Sequence, residues 1–179
     1  MPMLIAGVAL WWLAHLWKRI APGGDANRRK LAVTAALVLS LVLMTWGYRT
    51  AEGPVWWGAS AALKGINNLL VLAAFYLFAA SGAKSALGTR LRDPQLIGFS
   101  LWAGAHLLVN GDLPSLVLFG GLLAWALVEM AVLTAAGVRA PAPTPVRAGR
   151  EAGVALAALV LYALVGLVHG WIGPSPFGA

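Results

Sequence analysis

The chain has 179 residues, 60% of them in the hydrophobic set and only 11% charged, with a mean hydropathy of +0.80. Soluble domains carry roughly 25% charge, so a soluble globular fold is excluded; apolar runs near the ~20 residues of a spanning helix point instead to an all-α, polytopic transmembrane bundle. The absence of cysteine excludes disulfides, thiolate ligation and covalent c-type haem, and the net charge of +7 falls between apolar runs, where topology explains it better than nucleic acid does.

Six spans are predicted within a single domain over residues 1–179, at about 3–17, 31–48, 62–81, 95–110, 113–135 and 152–172. The first and fourth are short. Flanking residues extend them (Lys18 and Arg19 can snorkel) or the bilayer thins locally. Met1 to Trp17 carries its positive charge after the apolar run rather than before it, so it reads as a retained anchor and not as a cleaved signal.

The thirteen Lys and Arg residues sort sharply by connection. Lys18, Arg19, Arg28, Arg29 and Lys30 lie in the first, Lys84, Arg90 and Arg92 in the third, and Arg139, Arg147 and Arg150 in the fifth. Only Arg49 and Lys64 are left for the other side, so the positive-inside rule places both termini outside the cytoplasm. Trp17 then falls at the cytoplasmic interface, and Trp46, Tyr48, Trp56, Trp57 and Trp171 at the outer one. The fifth connection, at about 140–147, carries Pro141, Pro143 and Pro145 and is expected to be a stiff, solvated linker.

Gly7 to Leu16 reads GVALWWLAHL and Gly98 to Leu107 reads GFSLWAGAHL. Gly7, Trp11 and His15, like Gly98, Trp102 and His106, recur at i, i+4 and i+8, and each set therefore forms one stripe on one helix face. An inverted 3+3 repeat would produce this pattern, because the first span runs inward and the fourth outward. At ~1.5 Å per residue both histidines come near the bilayer centre, where an ionisable side chain needs a partner or a cavity. Two neutral imidazoles can hold an iron porphyrin, with glycine leaving room for the macrocycle and tryptophan supplying flat apolar contact. Equally, each imidazole can donate to a neighbouring helix as packing glue.

Other polar residues interrupt the apolar runs. Asn110-Gly111-Asp112 before Leu113-Pro114 is a turn that can cap the next helix or line an entrance. Asn67 is expected to bond across helices, Glu129 to reach water or Arg139, and His169 to be satisfied at the outer interface. Asp93 before Pro94 reads as an N-cap. No phosphate loop, dinucleotide turn, zinc helix or hydrolase triad is present.

From Arg92-Asp93-Pro94-Gln95-Leu96-Ile97-Gly98 through Leu101-Trp102-Ala103-Gly104-Ala105-His106-Leu107-Leu108-Val109-Asn110-Gly111-Asp112 to Phe119-Gly120, the chain resembles the NnrU family. His15, Trp46-Gly47-Tyr48-Arg49 and His169-Gly170-Trp171 extend the resemblance over nearly the whole length. It implies a multi-pass protein of the bacterial inner membrane linked to nitrite and nitric oxide reduction. The family also includes 15-cis-zeta-carotene isomerases, and that branch implies haem b held by histidines matching His15 and His106. Two departures weigh against the isomerase: Asp93 stands where the family commonly has histidine, and Ala103 where the isomerases carry cysteine.

Three functions are compatible with these residues. The first is a haem b protein supporting nitrite or nitric oxide reduction, with denitrification or electron-transfer proteins as partners. The second is a haem-dependent isomerase of a polyene, and the third a haem-free membrane assembly factor.

Overall fold

The computed structural model describes residues 1–20 and 25–177, without the side chains of residues 18–20. The snorkelling expected of Lys18 and Arg19 therefore lies outside the described side chains. Helices form along the apolar runs: α1 (Pro2–Ile20), α2 (Ala26–Thr50), α3 (Ala61–Gly82), α5 (Pro94–Val109), α7 (Gly121–Ala135) and α8 (Ala148–Ile172). Shorter pieces lie between them: strand β1 (Val55–Trp57), helix α4 (Ala86–Arg90), strand β2 (Gly111–Asp112) and helix α6 (Leu113–Ser115). A π-helical turn, Leu116–Gly120, joins α6 to α7, so that Leu113–Ala135 runs as one apolar helix.

Among the described residues, four helices are long and apolar enough to cross a membrane: Ala26–Thr50, Ala61–Gly82, Leu113–Ala135 and Ala148–Ile172. The protein is thus a helical membrane protein. The apolar stretches Pro2–Trp17 and Pro94–Val109 are shorter, in line with the brevity of the first and fourth predicted spans.

The chain divides into two compact units. Residues Met1–Gly58 and Asn110–Trp125 make the first; Ala59–Val109 and Ala126–Ala179 make the second. The halves of a 3+3 repeat do not coincide with this division, because residues 110–125 group with the first two long helices.

In the first unit α1 and α2 pair through small residues. A Cβ on Gly7 would lie 2.7 Å from the Met44 backbone nitrogen, and one on Gly47 would strike the Leu4 backbone. Residue 7 therefore meets 44 while residue 4 meets 47, which makes the pair antiparallel and brings the backbones close. Leu4, Val8 and Met44 are buried at this seam. Beyond α2, β1 pairs antiparallel with β2, Val55 opposite Asp112 and Trp57 opposite Gly111. The Trp57 ring lies where a Cβ of Gly111 would be, so glycine in the Asn-Gly-Asp turn is required by that close approach.

In the second unit α3 packs on α5 and α8. Thr144 holds the proline-rich connection down. Its amide donates to Thr89 Oγ1 at 2.9 Å and its hydroxyl to Lys84 O at 3.1 Å. The linker is exposed apart from this contact, as its composition predicts. Past α8 the chain turns back: His169 Nδ1 donates to Pro174 O at 2.8 Å, Asn68 Nδ2 donates to Pro176 O at 2.9 Å, and the Phe177 ring covers Gly166.

Candidate functional site: two histidine stripes

Each stripe lies in a different unit, and each is built from its own helix. In α1 the His15 ring nitrogen Nδ1 lies 3.0 Å from Trp11 O; in α5 His106 Nδ1 lies 2.8 Å from Trp102 O. A carbonyl can only accept, so Nδ1 is the donor in both. In a neutral imidazole the proton then resides on Nδ1 and Nε2 becomes the acceptor nitrogen, the form in which histidine ligates a metal. The i, i+4 spacing is the cause. It sets each imidazole over the carbonyl one turn back and beside the indole of the same residue.

The rings pack accordingly. Trp11 and His15 have centroids 4.4 Å apart, Trp102 and His106 5.0 Å apart. Trp125, buried to 4% exposure, adds a third ring to the first stripe, 4.5 Å from His15 and edge-on to Trp11 at 5.3 Å. In α5 Phe99 stands 5.2 Å from Trp102. Sequence reasoning missed Trp125. Nothing local marks it, since it reaches His15 from a helix more than a hundred residues away.

The glycines need correction. They were expected to leave room for a macrocycle, but the space over Gly7 is filled by Met44 and Leu43, and that over Gly98 by Ala74 O, Phe78 and Leu77 at 3.0–3.2 Å from an added Cβ. Both are helix-packing glycines, placed on the side of the stripe that meets the neighbouring helix. The imidazoles and indoles remain as candidates for holding a ligand.

Asp112 caps α6: its Oδ1 accepts from the Ser115 amide and its Oδ2 from Ser115 Oγ, both at 2.8 Å. The serine hydroxyl has only one proton, so Tyr48 OH donates to Ser115 Oγ across 2.8 Å. Asp112 is thus a structural cap tied to α2, and Asn110 opens the turn before it, half-buried. His169 closes the C-terminal turn through its bond to Pro174 O.

Two further expectations change. Asn67 Nδ2 donates to the adjacent Asn68 Oδ1 at 3.1 Å, and Asn68 makes the distant bond instead. Glu129 retains 2% exposure, so of its two expected partners, water and Arg139, water is set aside. Asp93 does precede the first residue of α5, and its carbonyl accepts from Ile97 N at 2.9 Å, but its carboxylate pairs with Arg92. Arg92 in turn donates to Met130 O and Thr134 Oγ1, tying the α5 start to the end of α7. Among the described residues no three or more of His, Cys, Asp and Glu cluster to hold a metal ion.

A family profile described as NnrU protein matches residues 3–176. Among curated proteins and among solved structures, nothing matches the chain.

Proposed function

We propose, for a chain that belongs to the NnrU family, that it is a haem b protein of the bacterial inner membrane, with His15 and His106 as ligands to the iron, supporting nitrite or nitric oxide reduction. The observation that carries this reading is the shared hydrogen bond from Nδ1 to the carbonyl one turn back. It fixes the tautomer, turns Nε2 outward from its own backbone and raises the basicity of that nitrogen, which is what a metal-bound histidine needs. When bound, the iron would supply one-electron exchange and a position at which a small diatomic competes with an imidazole.

The protein's own part is orientation. Trp11 and Trp102 lie against the imidazoles and restrict rotation of the rings, while the helix carbonyls hold the Nδ1 protons. Ala103 is fully buried and supplies no ligand atom in the place of the isomerases' cysteine. Histidine is thereby left as the only ligand type on the α5 stripe.

Purified protein from cells supplied with a haem precursor is expected to show a Soret band with the sharp reduced bands of a low-spin haem b, and a deletion strain to accumulate nitrite or nitric oxide. A colourless protein that also takes up no added haemin overturns the reading. The eleven-to-two asymmetry of Lys and Arg supports termini outside the cytoplasm. Reporter fusions after Arg29, Arg90 and Arg147 should all report cytoplasm, and an outside signal from any of them reverses that assignment.

A second reading, isomerisation of a long polyene, is favoured by one feature. An apolar groove of about 380 Å³, lined by Leu69, Leu72, Ala73, Tyr76, Ala155, Ala158 and Leu159, lies between α3 and α8. Expression in a bacterium that accumulates 15-cis-zeta-carotene tests it: conversion in the dark above an empty-vector control would promote this reading over the first.

A further inference from the structure

The π-turn Leu116–Gly120 interrupts an otherwise regular apolar helix, and such turns are rare and concentrate at functional sites. The start of α7, directly beyond the turn, meets α1 in register. Gly121 sits against Val8, with 2.8 Å from an added Cβ to Val8 Cγ1, and its carbonyl accepts from Trp12 Nε1 at 3.0 Å. One turn later Trp125 lies against Trp11 and His15. Residue 121 thus meets 8 and 12 while 125 meets 11 and 15, so the two helices run in the same direction along this face.

Upstream, the turn is pinned. Ser115, fully buried, is bonded to Asp112 and to Tyr48, and Tyr48 packs edge-on to Phe119 at 6.0 Å. Between these two fixed points the π-turn accommodates one more residue than an α-helical turn would. Each residue advances an α-helix by ~100°, so if these same residues wound as regular α-helix from Ser115, Trp125 would point well away from His15.

We infer that Trp125 is the positioning residue of His15, and that the π-turn sets the register that delivers it. With Trp11 on one side and Trp125 on another, the imidazole is held in one plane while Nδ1 is tied to the backbone. This deepens the reading of His15 as a ligand, because ring orientation tunes a ligated metal. The packing itself can be tested without any metal.

The experiment uses the full chain in lipid nanodiscs, without added haemin, and reads the carbethoxylation rate of His15 by diethyl pyrocarbonate at peptide level, with His169 as internal reference. Trp125→Ala is expected to raise the His15 rate relative to His169 about fivefold, the fold-change that loss of an aromatic pair implies. Deleting Leu118 removes the residue that the wide turn absorbs, lets it close to an α-helical turn and should leave His15 protected. Trp125→Phe, the mildest change, should give a smaller rise and keeps the test alive if the deletion does not fold. An unchanged His15 rate in Trp125→Ala, or a folded Leu118 deletion whose rate rises as far as that of Trp125→Ala, overturns the inference. Repeating the series with haemin separates the two claims: a change in labelling without any haem uptake would sustain the positioning role and remove the cofactor.

Discussion

The two histidine stripes share a local pattern and differ in what surrounds it. In α1 the Gly-Trp-His row meets α2 through its glycine, at a backbone nitrogen and the Met44 and Leu43 side chains, and receives a second indole from α7. In α5 the row meets α3 through a carbonyl and side chains, and the ring beside its tryptophan comes from Phe99 on the same helix. The tautomer is therefore a property of the spacing, whereas packing around the ring is a property of each unit. A ligand histidine needs both.

The largest effects should come from the imidazoles themselves. His15→Ala and His106→Ala are each expected to abolish or shift the Soret band of haem-loaded protein, while His169→Ala leaves it intact. Titration of purified variants with haemin checks this. If His169→Ala strips the haem and His15→Ala does not, the two stripes do not act as a pair and the comparison between them loses its meaning.

Next come the glycines, where the stripes should part. A Cβ at Gly7 would press on the backbone of α2, which cannot move without parting the helices, so Gly7→Ala is expected to cost about 1–3 kcal/mol as overpacking. At Gly98, as at Gly7, one of the three nearest atoms is backbone, but the contacts begin at 3.0 Å instead of 2.7 Å, so less has to shift. Gly98→Ala should cost less. Unfolding of both variants in mixed micelles measures the difference; equal costs would mean that the two seams are equally rigid.

These cases show what sequence could and could not convey. Helix positions were legible because apolar runs of spanning length permit little else, and the histidine stripes because i, i+4 spacing is a property of a single helix. The glycines belonged to the same stripe, yet their role was misassigned. A sequence says that a Cβ is missing, not whether a ligand or a neighbouring helix takes its place. Trp125 was illegible for a related reason: its contact with His15 depends on the register that a π-turn imposes, and Leu116–Gly120 carries no residue that demands such a turn. Glu129 was placed within reach of water or Arg139 by its distance from the helix end, and the structure buries it because burial depends on neighbours in space.

The smallest effect extends the comparison to the acidic residues that open helices in each unit. Asp112 spends both carboxylate oxygens on Ser115, one on its amide and one on its hydroxyl, and Ser115 receives the Tyr48 proton. Loss of the carboxylate removes a cap and leaves a buried hydroxyl without its acceptor, so Asp112→Ala should cost about 1–2 kcal/mol. Asp93 instead pairs with Arg92 through Nε and Nη2, and Arg92 also donates from Nη2 to Met130 O and from Nη1 to Thr134 Oγ1. Arg92 therefore stays anchored when Asp93 is removed, and a partly exposed pair of this kind contributes about 0–1 kcal/mol. Asp93→Ala should accordingly cost less than Asp112→Ala, and the gap should persist in high salt because the Asp112 bonds are caps and not ion pairs. Chemical-denaturant unfolding at low and high ionic strength compares the two. A larger cost for Asp93→Ala would reassign the more important helix start to the arginine tether of α5.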